Sequence, residues 1–198
     1  MAITNALCSL EDVKRSLDIN DSVDDTLLEL VIEAASRQIE QHTERIFTAS
    51  TATRVFAPDD NFLVQIDDLQ SLTTLKTSQN LNGTYDVTWG ANDYQLEPLN
   101  GVSGGMAGVP YTQIRAIGDY WFPTGGHEAT VQVTGVWGWS AIPTVIRQAA
   151  VLQSARYYKR ADAPMGVAGF DALGVIRLAR IDPDIATLCD PFMRVRMA

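Results

Sequence analysis

SVDDTLLELVIEAASRQIEQHTERIF, residues 22–47, is the stretch on which the fold turns. Leu28, Ile32, Ala35, Ile39 and Ile46 recur at helical spacing, and Leu27, Val31 and Ala34 widen the stripe. Steps of three and four residues set side chains on one face of an α-helix. Ser22 with Asp25 three residues later fits a capping box, with Asp in place of the usual Glu or Gln. Asp24 and Asp25 stand where the positive end of the helix dipole favours carboxylates. Glu29, Glu33, Arg37, Glu40 and Glu44 fall largely on the opposite face. Roughly 25 residues rising about 1.5 Å each make a rod of about 38 Å, long enough to organise one domain.

Upstream, Ser9-Leu10-Glu11-Asp12 repeats the capping logic, and Leu10, Val13 and Leu17 mark one face of a short helix. Asp18 to Asp21 reads as a turn, so the chain opens as a helical hairpin. Downstream of Phe47 the helical period stops. Strands are expected at Arg54–Ala57, Phe62–Ile66, Ser71–Thr77, Tyr85–Trp89, Tyr94–Glu97, Gln113–Ile117 and Ala129–Trp137. Gly-, Asn-, Asp- and Pro-rich turns separate them. Val131 and Val133 alternate with Gln132 and Thr134, the period of a half-buried strand. Residues 100–110 hold four glycines without periodicity and read as a mobile loop.

Ile142-Pro143-Thr144 starts a third helix, with Pro143 at its first position and Pro164 as its stop. Ile146, Ala149, Ala150, Gln153 and Tyr157 share a face that should pack on the helix of residues 22–47. Residues 165–174 read as a loop or extended arm, and Gly174–Ile181 as a strand. Asp182-Pro183-Asp184 reads as an N-cap, a first-turn proline and a first-turn acid, opening a short helix through Leu188. Phe192, Met193, Val195 and Met197 then form an apolar tail interleaved with Arg194 and Arg196. Such a tail calls for a partner. The expected class is α+β: an antiparallel helical bundle, an inserted small antiparallel sheet and an extended C-terminal arm. Residues 1–163 would be the bundle, with the insertion at 48–139, and 164–198 the arm.

The 198 residues carry a net charge of −9, distributed as −6 over 1–50, −5 over 51–155 and +2 over 156–198. So acidic a chain is ill suited to gripping phosphates. The basic end suits an acidic protein partner, or simply solvent. No apolar run approaches the roughly 20 residues of a membrane span. The first residues lack the basic and apolar regions of a secretory signal. Cys8 and Cys189 form no CxxC motif and no disulfide framework.

A reaction centre is not legible. His42 lies on the apolar stripe, and His127 follows Gly125-Gly126 without a nearby cysteine or second histidine at metal-ligand spacing. No GxSxG, GxxxxGK[ST] or HExxH occurs. Gly101 to Gly108 lacks the lysine of a phosphate loop. The pairs Asp24-Asp25, Asp59-Asp60 and Asp67-Asp68 read as caps and turns rather than cation ligands. No catalytic residue, cofactor or metal is expected. Tyr85, Trp89, Tyr94, Tyr120, Trp121, Trp137 and Trp139 leave an alternative, a carbohydrate- or ligand-binding module in the β region, although core packing explains aromatics too.

The order of elements resembles the head–tail connector proteins of tailed bacteriophages, also called head-completion or head-to-tail adaptor proteins. The resemblance is carried by Leu10-Glu11-Asp12-Val13-Lys14 with Leu17, Asp24-Asp25-Thr26-Leu27-Leu28 and Ile32-Glu33-Ala34-Ala35-Ser36. It continues through Gly83-Thr84-Tyr85-Asp86, Asp93-Tyr94-Gln95-Leu96 and Val131-Gln132-Val133-Thr134-Gly135. It ends with Ile142-Pro143, the helix through Tyr157, Tyr158 and Arg160, and Asp182-Pro183-Asp184. It implies a passive virion component at the head–tail interface, assembled in the host cytoplasm into a ring, usually of twelve, below the portal protein. Such a ring extends a channel through which DNA slides unbound, and offers a surface to a tail-side neck protein, a stopper or tail terminator. The C-terminal segment would reach the portal, through Arg177, Arg180, Asp182, Phe192, Met193, Arg194 and Arg196. Between subunits, Glu29, Glu33 and Arg37 would meet Arg147 and Arg156 of a neighbour.

Overall fold

Helices form where the caps and stripes lie, and strands where β-branched residues alternate. The computed structural model describes all residues except 1–2, 126–128, 162–166, 172–173, 178–181 and 195–198. His127, Pro164, Arg180, Val195, Arg196 and Met197 therefore lie outside the described residues. The class is α+β, with four α-helices among the described residues. The chain divides into two compact units, Met1–Arg45 with Ile142–Ala198, and Ile46–Ala141.

The helical unit opens with α1, Leu10–Leu17. Its capping box is complete: Asp12 N–H donates to Ser9 Oγ, and Ser9 N–H to Asp12 Oδ2, both at 3.1 Å. Helix α2 spans Asp25–Thr43, shorter at both ends than the sequence pattern suggests. Ser22 does not cap it. The N-cap is Asp24, and the Asp25 carboxylate that would complete a box accepts instead from Lys14 Nζ at 2.6 Å. At the other end Glu44 turns left-handed at φ 54°, its N–H returning to Glu40 O. Ile46 consequently leaves the stripe and is exposed. Leu28, Ile32, Ala35 and Ile39 are buried, while Leu27 and Ala34 are exposed.

Helix α3, Thr144–Ala161, packs against α2 and buries Ile146, Ala149, Ala150, Gln153 and Ser154. Gln38 of α2 seals the seam, accepting from Gln153 Nε2 at 2.6 Å and from the Tyr157 hydroxyl. Strands β9, Val167–Asp171, and β10, Gly174–Arg177, pair antiparallel where a loop leading to one strand was expected. Helix α4, Pro183–Cys189, has Asp182 as N-cap, accepting from Asp184 N–H at 3.1 Å. A 3-10 turn, Asp190–Phe192, follows.

The sheet unit is a six-stranded antiparallel sheet ordered β1-β8-β2-β7-β4, with β3 also on β2. The strands are β1 Ser50–Phe56, β2 Leu63–Thr77, β3 Val87–Thr88, β4 Tyr94–Glu97, β7 Tyr111–Ala116 and β8 Val131–Trp137. The two strands expected at Phe62–Ile66 and Ser71–Thr77 are one. Asp67 and Asp68, which looked like a turn, are held in place. Arg54 Nη1 donates to Asp67 at 2.8 Å, and Trp139 Nε1 donates to buried Asp68 at 3.1 Å. Register shifts along β2 absorb the irregularity. The glycine-rich loop is a hairpin, β5 Val102–Ser103 and β6 Met106–Ala107, with Gly104 and Gly105 both at positive φ between them.

On β8, Val131, Val133, Gly135 and Trp137 face inward, as their alternation predicts. They join Val64, Ile66, Leu69, Leu75, Trp89, Ile114 and Phe122 in the core. Gly135 is required by space: a Cβ there would stand 2.3 Å from Ser71 O.

Candidate interaction surfaces

Charge in the helical unit is organised by Asp12. Arg147 of α3 reaches it through Nε at 2.9 Å and Nη2 at 2.6 and 2.7 Å. That guanidinium, followed by Ser9, holds the Asp12 carboxyl down at about 2. One carboxylate thus caps α1 and ties it to α3. Arg147, expected at a subunit boundary, already has a partner in its own chain.

Arg156 is likewise engaged: its Nη1 lies 2.9 Å from Asp182, joining α3 to the cap of α4. Arg37 donates to Asn5 O at 2.6 Å and pairs with Glu40 at 3.2 Å. Glu33 is exposed and Glu29 half-buried. The structure therefore brings Glu33, Arg37 and Glu29 to one helix, and assigns Arg147 and Arg156 to partners within the chain.

The C-terminal candidates separate. Ile185, Cys189 and Phe192 are buried. Arg45 Nε donates to Phe192 O at 2.7 Å, and Arg194 N–H to Thr43 O at 3.0 Å. His42 Nε2 lies 3.3 Å from Asp190 Oδ1, at the rim of the helix rather than in a reaction centre. Phe192 is thus a core residue of the helical unit, whereas Met193 is exposed. Arg177 belongs to β10.

Leu30, outside the apolar stripe, is a large apolar side chain on the polar face of α2 and is 63% exposed. Val145 and Leu152, seven residues apart on α3, are also exposed, although they were expected to extend the apolar surface. The available signal for Leu30 was that its angular position departs from the stripe.

Burial pushes both thiols, Cys8 and Cys189, up to about 11, so neither is a ready nucleophile. Among the described residues no three His, Cys, Asp or Glu are grouped to hold a metal ion, and no helix is long and apolar enough to cross a membrane. Most of the aromatic set is spent on packing. Trp89, Trp137 and Trp139 are buried, and Trp89 stacks on Phe122 at 4.7 Å. Trp121 is exposed.

Residues 8–86 match the family model of phage gp6-like head-tail connector proteins. The match supports the resemblance to head–tail connectors over the motifs from Leu10 to Asp86. Two solved structures share the fold, each with a TM-score of 0.60 and each aligned over 100% of this chain. One is the neck of an empty GTA particle computed with C6 symmetry, 19% identical and covered over 95% of its length. The other is the neck of a native GTA particle computed with C12 symmetry, 18% identical and covered over 94%. None of the curated proteins matches.

Proposed function

We propose that the chain is a structural head-to-tail adaptor of a tailed-phage virion. In this reading it forms a ring, of twelve subunits, below the portal protein. The ring extends the DNA channel and presents a docking surface to the next neck component, a stopper or tail terminator. The observation that carries the reading is the end-to-end likeness of fold to neck structures, over a chain whose residues 8–86 match the connector family. The acidic balance suits a channel wall, because carboxylates repel a sliding phosphate backbone.

A closed ring needs two different patches on each subunit. We assign one to the outer face of α2, with Glu29, Glu33, Arg37 and Leu30. The other lies on α3, where Arg156 shares a face with Val145 and Leu152 and Arg147 stands on the side turned to α1. Arg147 and Arg156 keep Asp12 and Asp182, and a neighbour's carboxylate adds to those pairs, since a guanidinium has five donors. Residues 1–163 serve as the body and 164–198 as the portal-docking arm, anchored through Phe192, with Arg177, Arg180, Asp182, Met193, Arg194 and Arg196 as its docking residues.

Electron microscopy of the protein mixed with its cognate portal tests this. A ring seated coaxially on one end of the portal is expected. Portal particles left bare at saturating protein would reject the assignment.

A further inference from the structure

Two loops at one end of the sheet unit meet around a cleft of about 640 Å³. One loop, residues 57–62, joins β1 to β2; the other, 117–130, joins β7 to β8. Asp60, Asn61, Phe62, Asp119, Tyr120 and Trp121 line the cleft, together with Gly118. Phe62 is 60% exposed and Trp121 53% exposed. The other three tryptophans are buried, so the chain leaves one tryptophan in water.

These aromatics stand on a built platform. Asp60 Oδ1 accepts from Phe62 N–H at 2.6 Å and Leu63 N–H at 2.8 Å, closing the first loop. Phe122 N–H donates to Asn61 O at 2.8 Å, and Thr124 Oγ1 to Asn61 Oδ1 at 2.8 Å, so each loop fixes the other. Behind the cleft Tyr120 packs on Trp89 at 5.1 Å, and Trp89 on Phe122. Two large apolar side chains held in solvent by an ordered frame are costly to solubility, and rigid aromatic anchors of this kind dominate protein interfaces.

The charge of the cleft selects among occupants. Its lining contains two carboxylates and no lysine or arginine. Asp119 makes no hydrogen bond or ion pair among the described residues. Arg115, which feels the charge of Asp60, is held by Glu97 at 2.7 and 3.3 Å and does not line the cleft. Aromatic faces beside carboxylates favour a cation, which the rings attract through their quadrupoles and the carboxylates through charge. A guanidinium fits best, since it stacks flat on an indole and forks onto a carboxylate.

We propose that this cleft is a docking site for a cationic segment of a partner protein, with an arginine laid on Trp121 and directed at Asp119. The site belongs to the sheet unit alone and does not depend on ring formation.

Calorimetric titration of the full chain with a capped peptide of alternating glycine and arginine is the test, with Trp121 emission read in parallel. Saturable binding that quenches the emission and weakens as salt is raised is expected. Replacing arginine by citrulline should weaken it about tenfold, and Asp119→Asn by a similar factor. Trp121→Ala should remove it without moving the melting temperature. Phe62→Ala is a second variant should that one misfold. Absence of saturable binding overturns the proposal, as does equal binding of the citrulline peptide. Binding of a neutral gluco-oligosaccharide with the same quenching, in place of the arginine peptide, would make the cleft a saccharide site and likewise overturn it.

Discussion

Asp12 makes the stability of the helical unit depend on pH in the acid range. Its folded-state carboxyl, held at about 2 chiefly by Arg147, titrates below its ordinary value of 3.8. A depressed carboxyl contributes stability that is fully present above the ordinary value and lost as pH falls through the folded one. Arg147→Met should therefore lower the melting temperature by a constant amount above about pH 5. The gap from the parent should narrow between pH 3.8 and about 2. A gap independent of pH over that range would exclude the fork as its source. At Gly135 the constraint is steric: Gly135→Ala should cost about 2–3 kcal/mol, read from the urea midpoint. The capping box was legible because Ser9 and Asp12 are three residues apart. The fork was not, because its partners are 135 residues apart and only the packing of α1 on α3 joins them.

Among elements, α2 carries the helical unit. Ile32 is fully buried where α2 packs, so Ile32→Ala should leave a cavity and cost about 2–5 kcal/mol in thermal or urea unfolding. The apolar period of α2 and α3 predicted their packing correctly, since burial is what selects that period. The ends of α2 were misread for a local reason. Asp25 had two possible partners, Ser22 nearby and Lys14 in α1, and the charged one prevailed. Long β2 was misread for the same kind of reason. Asp67 and Asp68 are turn residues by composition, and only Arg54 and Trp139, distant in sequence, allow the strand to run through them. The Gly104-Gly105 hairpin was in principle legible, because two residues at positive φ between paired strands are what a tight β-turn demands.

At the scale of the molecule, the placement of Phe192 changes how docking must be examined. Deleting residues 174–198 removes Ile185, Cys189 and Phe192 from the core along with the proposed arm. That truncation should lower the melting temperature markedly, and its failure to bind a portal would be ambiguous. Met193→Asp is the cleaner probe, because Met193 is exposed just beyond the anchor. It should leave the melting temperature within about a degree and weaken portal capture, as a surface substitution at a docking site does. Unchanged capture would take Met193 out of the arm's contact surface. Tyr120 and Trp121 belong to the aromatic set that the sequence offers for ligand binding, but their pairing with Phe62 was not legible, because Phe62 and Trp121 are 59 positions apart and nothing local separates an exposed tryptophan from Trp89, Trp137 or Trp139.

The pairing of β1 with β8 sets Ser50 across from Trp137 on a single ladder. The main chain goes out and comes home through one gap. Whatever is hung beyond that gap can be lengthened, trimmed or exchanged without re-routing a helix.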